Sequence, residues 1–183
     1  MQLGDRGVQN DKALREWCKA ASTVVSPAEA KDVPPFALAY RAYQIWCGLP
    51  GVPIPARQHL DPIIMGPELL PNLSIIEVIT PQSDYRWALV GERIPWIIGT
   101  RLKGNLLSQI EEQVGEIVMF RELLDRVTRE HKPLFYILRH RTTDGRLKRS
   151  YGVLLPLCDL NDGDASRVVV ASILSASDAT TGA

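Results

Sequence analysis

The sequence predicts an α+β domain built on a five-stranded antiparallel sheet, with helices between the second and third strands and a helical extension before the first. Short β-branched runs occur as a pair near the middle of the chain and as a group of three near its end. Turn sequences separate the runs within each group, which favours antiparallel hairpins. Helical periodicity is confined to the stretches outside the two groups. The elements therefore do not alternate as a doubly wound nucleotide-binding fold requires.

The N-terminal part is predicted to be helical wherever proline permits. Residues 11–21 and 36–47 each carry apolar side chains at helical spacing on one stripe. Ser26, followed by Pro27 and then Glu29, marks a helix start between them. We expect the two amphipathic segments either to contact a second copy of the chain or to cover the outer face of their own sheet.

A proline-rich connection precedes the sheet. The prolines between residues 48 and 72 prevent one long helix or a central strand there. Asp61 before Pro62 predicts a short helix with a carboxylate cap. Ile63 and Ile64 begin an apolar run that should not be left in water, so the connection is expected to cover the core.

The sheet and its helices follow in order. Strands are predicted over residues 73–80, 85–90, 134–141, 147–157 and 167–174. A long helix over residues 116–130 should bury one stripe, formed by Ile117, Phe120, Leu123, Leu124 and Val127. The predicted organisation is an N-terminal extension, partly helical or disordered, over residues 1–35, a domain over 36–175 and a flexible tail over 176–183.

Composition excludes several classes of protein. Lys+Arg and Asp+Glu are both 21, so the formal net charge is zero and no nucleic-acid partner is expected. No apolar run is long enough to span a bilayer, and the first residues lack a signal-peptide core, which predicts a cytoplasmic protein without membrane contact. Cys18, Cys47 and Cys158 form no CxxC motif, so they predict neither a disulfide framework nor a zinc site. Each is expected to be a small buried hydrophobe.

No catalytic or metal-binding pattern is present in the sequence. Gly91, Gly99 and Gly104 follow the second strand, but Asn105 stands where a phosphate-binding loop needs lysine and then a hydroxyl residue. The three histidines lack metal-ligand spacing. The basic residues around His140 are interpreted as a solvated hairpin rather than an anion site. Neither an enzyme nor a metal site is predicted, and the sequence names no cofactor.

Aromatic and apolar residues on the strands and helices are the candidates for a ligand-binding interior. A filled core made of the same residues is the alternative. Arg86 lies in the middle of a strand, where it must find a partner: Glu77 on the preceding strand, which is the favoured choice, or an anionic ligand. The candidate ligand-binding residues are Arg86, Trp87, Leu89, Trp96, Phe120, Leu123, Tyr136 and Tyr151.

Several ordered stretches between residues 38 and 174 resemble the PAS domain family, and in particular its short stand-alone proteins of proteobacteria. The leading part contributes Trp46, Pro55-Ala56-Arg57, Asp61-Pro62 and Leu69-Leu70-Pro71. The later part contributes Asp84-Tyr85-Arg86-Trp87, Leu89-Val90-Gly91, Gly99, Leu102, Gly104, Lys132-Pro133, Tyr151 and Leu155-Pro156-Leu157. Ala88 and Glu92 depart from the family pattern, which often has arginine and threonine there.

The resemblance implies a sensory fold with a helical wall over a concave sheet. It implies a domain that binds a small organic molecule and signals through a homodimer, formed by the N-terminal helices, or through a partner protein. An interaction or dimerisation module with a filled core is the alternative. The flavin-adduct cysteine motif of light-sensing members is absent from the sequence, and residues 116–130 contain no histidine that could ligate haem.

Overall fold

The computed structural model describes residues 22–51, 54–81, 83–94, 102–114, 118–141, 147–158 and 168–177. The strands of this part form one antiparallel sheet in the spatial order β1-β4-β5-β6-β2-β3. They are β1 (Ser22–Val25), β2 (Leu73–Ile79), β3 (Asp84–Val90), β4 (Leu134–Arg141), β5 (Leu147–Cys158) and β6 (Val168–Ser177). The five predicted strands, β2 to β6, are all present, and their antiparallel pairing is confirmed.

The predicted count of five strands is wrong, because β1 adds a sixth at one edge of the sheet. Val25 of this strand lies opposite Phe135 of β4. A four-residue β-branched run beside Pro27 is too short to show the alternation that identifies a strand. Part of the predicted N-terminal extension therefore belongs to the sheet, while its first 21 residues lie outside the described part.

The helices of the described part fall into a group before β2 and a group after β3. They are α1 (Pro27–Lys31), α2 (Ala37–Gly48), α3 (Pro62–Leu69), α4 (Leu107–Val114) and α5 (Val118–Glu130). Short 3₁₀ turns occur at Pro34–Phe36, Arg57–His59 and Leu70–Asn72. None of these helices is long and apolar enough to cross a membrane.

Both predicted helix starts in the N-terminal part are confirmed. The Glu29 amide donates to the Ser26 hydroxyl at 3.2 Å, and the Ser26 amide donates to the Glu29 carboxylate at 2.9 Å. This reciprocal arrangement satisfies two backbone donors at the start of α1. The Asp61 carboxylate likewise accepts a hydrogen bond from the Ile63 amide at 2.7 Å, which caps α3.

One face of the sheet packs against α4 and α5, and we call this packing the central-helix core. Side chains at alternate strand positions enter it from the sheet. Its helix side includes the stripe predicted for the long helix, apart from Ile117, which lies outside the described residues. The buried members are Ile76, Tyr85, Trp87, Ile94, Leu102, Leu107, Ile110, Phe120, Leu123, Leu124, Val127, Leu134, Tyr136 and Leu154.

The opposite face packs against α1, α2, α3 and their connections, and we call this packing the N-terminal core. For residues 36–47 the structure supports the alternative, cover of their own sheet, because Ala39 and Ala42 of α2 are fully buried there. Trp46 also donates from its indole nitrogen to the Pro156 carbonyl at 2.8 Å. The buried members are Ala30, Phe36, Ala39, Ala42, Met65, Leu69, Leu73, Ile75, Phe135, Tyr151, Val153, Leu155, Leu157 and Ile173.

Three predictions of burial are wrong. Ile63 and Ile64 are 88% and 53% exposed, because they occupy the first turn of α3, whereas Met65 and Leu69 turn inward. Cys47 is exposed near the end of α2. An amphipathic stripe identifies the buried side of a helix. It does not show whether the residues at the two ends of the helix are also buried.

Candidate functional site

Four of the candidate ligand-binding residues meet in the central-helix core. Trp87 and Tyr136 enter it from β3 and β4, while Phe120 and Leu123 enter it from α5. The rings of Trp87 and Phe120 are stacked with their centroids 5.9 Å apart. Phe120 also meets Tyr136 edge to face at 5.9 Å. The predicted convergence of aromatic side chains under the helical wall is therefore present for Trp87, Phe120 and Tyr136, and Leu123 packs in the same core.

Three other candidates lie elsewhere, or outside the described part. Tyr151 packs in the N-terminal core, because it lies opposite Ile137 on β4 and thus shares a face with Phe135. Leu89 is 43% exposed, because an irregularity in the pairing of β2 with β3 shifts its position. Neither residue therefore shares the central-helix core with the other four candidates. Trp96 lies outside the described residues.

Arg86 is bound to protein on the opposite face from Trp87. It stands directly across from Glu77 in the sheet, and its guanidinium donates to that carboxylate at 2.6 and 3.2 Å. Arg57 approaches the other oxygen of Glu77 at 3.7 Å. The favoured cross-strand pair is thus confirmed. Because successive strand residues face opposite sides, the Arg86 charge lies away from the central-helix core.

The chain after β3 returns along its outer edge. The Gly104 amide donates to the Trp87 carbonyl at 2.8 Å, and Arg86 forms an isolated backbone bridge with Leu106. Gly104 has a φ of +83°, a conformation that side-chain-bearing residues rarely adopt. The glycine therefore allows the backbone conformation with which the chain returns to β3.

A close approach also fixes the ring of Tyr136. Gly152 lies directly opposite it on β5, and a Cβ at that glycine would lie 2.5 Å from the Tyr136 ring. The same Cβ would lie 2.8 Å from the Ile173 carbonyl oxygen. The Tyr136 ring therefore occupies the space that a side chain at position 152 would need.

A polar network joins α4 and α5 to the start of β3, and we call it the Asp84 network. The Asp84 carboxylate accepts from the Ser108 hydroxyl at 2.6 Å and from the Arg121 guanidinium at 3.0 Å. Arg121 in turn binds the Glu111 carboxylate through two nitrogens, at 2.9 and 3.1 Å. Since Ser108 and Glu111 lie on α4 and Arg121 on α5, both helices are tied to the same strand end.

The Asp84 network shifts the pKa values of its members. Burial acts to raise the pKa of the Asp84 carboxyl, but hydrogen bonds from Ser108, the Tyr85 amide and Arg121 outweigh it and lower that pKa. The hydrogen bonds and charges of Glu111 and Asp84 raise the pKa of Arg121. Asp84 and Arg121 consequently carry opposite charges near neutral pH.

Tyr85 adds a second tie between β3 and α5. Its hydroxyl donates to the Asp125 carboxylate at 2.5 Å, and the Arg121 guanidinium carbon lies 5.9 Å from its ring centroid. Burial, together with the hydrogen bond to Asp125, raises the pKa of Tyr85 to about 12. The phenol therefore stays protonated and keeps its donor role.

The sequence analysis missed one polar residue of the central-helix core. Ser74 is 2% exposed, and its hydroxyl has no hydrogen-bond partner in the structure. It lies two residues before Ile76 on β2 and opposite Val90 on β3, so its side chain shares their face of the sheet. The signal in the sequence is that Ser74 alternates with Ile76 and Val78 along one side of the predicted strand.

Among the described residues, no group of three or more His, Cys, Asp or Glu side chains could hold a metal ion. Three carboxylates beside the central-helix core already have hydrogen-bond donors. Arg121 donates to Asp84 and Glu111, and Tyr85 donates to Asp125. The chemistry that this interior offers is therefore apolar contact and hydrogen bonding.

Comparison with known proteins yields only remote similarities. No family model and no curated protein matches the chain. An RNA-binding light-oxygen-voltage receptor is similar at 13% identity and a TM-score of 0.45, over 70% of this chain and 36% of the receptor. A fungal light-oxygen-voltage photoreceptor is similar at 12% identity and a TM-score of 0.40, over 56% of this chain and 70% of that protein. Likeness at this level assigns neither a ligand nor an activity.

Proposed function

We propose that this chain is a PAS-like sensory domain that binds a small organic molecule in the central-helix core. In this proposal the ligand changes how α4 and α5 sit on the sheet, and the change is passed on by association with another protein. The observation that carries the proposal is the meeting of Trp87, Phe120, Leu123 and Tyr136 beneath those two helices. An apolar, aromatic interior is the usual setting of a small-molecule site.

The attachment of the two helices also supports the proposal. The Asp84 network and the Tyr85–Asp125 hydrogen bond tie α4 and α5 to the first two residues of β3. Elsewhere the two helices are held to the sheet by the apolar contacts of the central-helix core. A helical cover tied by polar groups at one end can move at its apolar part without breaking those groups, which a ligand-induced shift requires.

A filled core without ligand is the second candidate. The direct ring contacts of Phe120 with Trp87 and with Tyr136 favour this candidate, because these rings already pack against one another. In that case the domain acts as an interaction or dimerisation module. The two candidates differ in whether the interior accepts a guest, and neither involves catalysis or names a cofactor.

Native mass spectrometry of purified protein distinguishes the two candidates. Proposed ligand binding predicts a native mass above the denatured mass, or a rise in melting temperature with at least one class of small molecule. For a chain of this size about 1 kcal/mol of stabilisation raises the melting temperature by roughly 2–4 °C. Equal native and denatured masses, together with no shift across a broad metabolite panel, would leave only the filled-core module.

Association with a second copy is proposed through the N-terminal segment. The sheet already covers the inner side of α2, which leaves the outer side of that helix for contacts. Residues 11–21 are the other predicted contact segment. Light scattering should show a dimer that weakens when residues 1–21 are deleted. This deletion spares β1, whose removal would damage the sheet. A monodisperse monomer for the complete chain would contradict self-association.

A further inference from the structure

The unpartnered hydroxyl of Ser74 lies in the interior where the proposed ligand binds. The residue is 2% exposed, so its hydroxyl is shielded from bulk solvent. A buried hydroxyl without a partner costs on the order of 1–3 kcal/mol, which makes it rare in a finished core. It is the one buried side-chain polar atom without a partner among the described residues.

Ser74 stands opposite Ser172 on β6, and the other residues of this face next to it are apolar. Val90 lies opposite it on β3 and packs against the central-helix core, and Ile76 follows on the same face of β2. On its other side the sheet continues through β6 to Leu154, which is fully buried in the same core. A group that meets the Ser74 hydroxyl therefore has hydrocarbon around it.

Several charged groups near this interior are already paired. Arg121 is shared between Asp84 and Glu111, Asp125 accepts from Tyr85, and Arg86 binds Glu77 on the other face. An anionic guest would have to compete with Asp84 and Glu111 for the guanidinium of Arg121. Burying an unpaired charge costs far more than one hydrogen bond returns.

We infer that the ligand is an uncharged, largely apolar molecule carrying one hydrogen-bonding group, and that Ser74 is the residue that receives that group. The inference rests on the proposed function and narrows it to a ligand class. Apolar contact with the aromatic side chains supplies most of the affinity, while the hydroxyl fixes the orientation of the guest. Anionic metabolites and nucleotides are disfavoured, because the guanidinium of Arg121 already binds two carboxylates.

Three matched probes test the inference: phenol, toluene and benzoate. They share one ring but differ in their substituent, which is a hydroxyl, a methyl and a carboxylate. Binding is measured by ligand-observed NMR and by isothermal titration. The wild-type chain should bind phenol about tenfold more tightly than toluene, because phenol can pair with Ser74. Benzoate should bind more weakly than both.

The variant Ser74→Ala removes only the hydroxyl. It should lower the affinity for phenol about tenfold and leave toluene unchanged. Without ligand this variant should melt no lower than the wild type, because it removes an unpaired polar group. Ser150→Ala, at a fully buried serine on β5, is the control and should keep the preference for phenol.

The outcomes separate this inference from the proposed function. If phenol and toluene both bind but Ser74→Ala leaves their ratio unchanged, ligand binding stands and the role of Ser74 is wrong. If benzoate binds as tightly as phenol, the uncharged class is wrong. If none of the probes binds and native mass spectrometry shows no guest, the proposed function fails and this inference fails with it.

Discussion

The two cores lie on opposite faces of one sheet and are built from alternate residues of the same strands, yet they differ in the polar groups they contain. In the N-terminal core, Phe135 is surrounded by the rings of Phe36, Tyr40 and Tyr43 at 5.8, 6.3 and 5.4 Å. In the central-helix core, aromatic packing stops beside a polar network and an unpartnered serine hydroxyl. The proposed function assigns the two cores different roles: the N-terminal core stabilises the fold, and the central-helix core receives the proposed guest.

The largest expected effect on stability belongs to the N-terminal core. Phe135→Ala removes a fully buried ring at the centre of these contacts, and should lower the free energy of unfolding by about 3–5 kcal/mol. Urea unfolding followed by circular dichroism measures this loss. If the two cores have these different roles, the variant should still prefer phenol to toluene under conditions where it is folded. A loss below about 1 kcal/mol would contradict a tightly packed N-terminal core.

A smaller loss of stability is expected at Gly152 of β5, which lies directly opposite Tyr136 of β4. Gly152→Ala places a methyl group 2.5 Å from the Tyr136 ring and 2.8 Å from a backbone oxygen, and should cost about 1–3 kcal/mol. In contrast to Phe135→Ala, it should also change probe binding, because Tyr136 must move. The variant Tyr136→Leu should partly relieve the clash, so a double-mutant cycle should show coupling. Additive effects would contradict the contact.

The Asp84 network predicts that acid weakens the attachment of α4 and α5. The pKa of Asp84 is lower in the folded chain than the value of about 3.9 for an unfolded aspartate. Its stabilising effect is therefore complete above that value and is lost as pH falls through the folded pKa. Wild-type stability should fall more steeply below about pH 4 than that of Asp84→Asn.

Urea midpoints at pH 7, 4 and 3 measure this dependence. Glu122→Gln is a suitable control, because it removes an exposed carboxylate of α5 that has no part in the Asp84 network. The control should retain the wild-type dependence on pH. Parallel pH profiles for the wild type and Asp84→Asn would show that the network does not stabilise the folded state.

The smallest effect is expected at Arg86, which lies on the face away from the central-helix core. Arg86→Ala breaks a half-exposed ion pair with Glu77, and such pairs contribute about 0–1 kcal/mol. The variant should bind phenol and toluene as the wild type does, and titration calorimetry measures both. Reduced binding of a guest by this variant would restore Arg86 as a ligand-binding residue and overturn the assignment of the two faces.

Much of the fold could be predicted, because local pattern determines it. β-branched runs and hairpin turns gave the five strands, and apolar spacing gave the buried stripe of α5. The cap signals at Ser26 and Asp61 also found their helix starts. β1 was not predicted, because it forms by pairing with β4, more than 100 residues away in sequence. A local sequence pattern does not show such a pairing.

The candidate site was harder to predict, because it depends on register. The sequence shows that Arg86 and Trp87 face opposite sides, but not which side is covered. Tyr151 was assigned to the wrong core because its face follows from the residue opposite it in β4, and one step of register reverses the face. Leu89 was misplaced by the irregularity near Ile75, which interrupts strict alternation.

The most direct test of a guest in the central-helix core is an NMR titration of isotope-labelled protein with phenol. The two cores provide internal references, since each contributes its own methyl and aromatic signals. A guest in the central-helix core should shift signals of Trp87, Leu124 and Tyr136, and leave those of Phe135 and Leu155 unchanged. Shifts confined to the N-terminal core, or no saturable shifts in either core, would contradict the account.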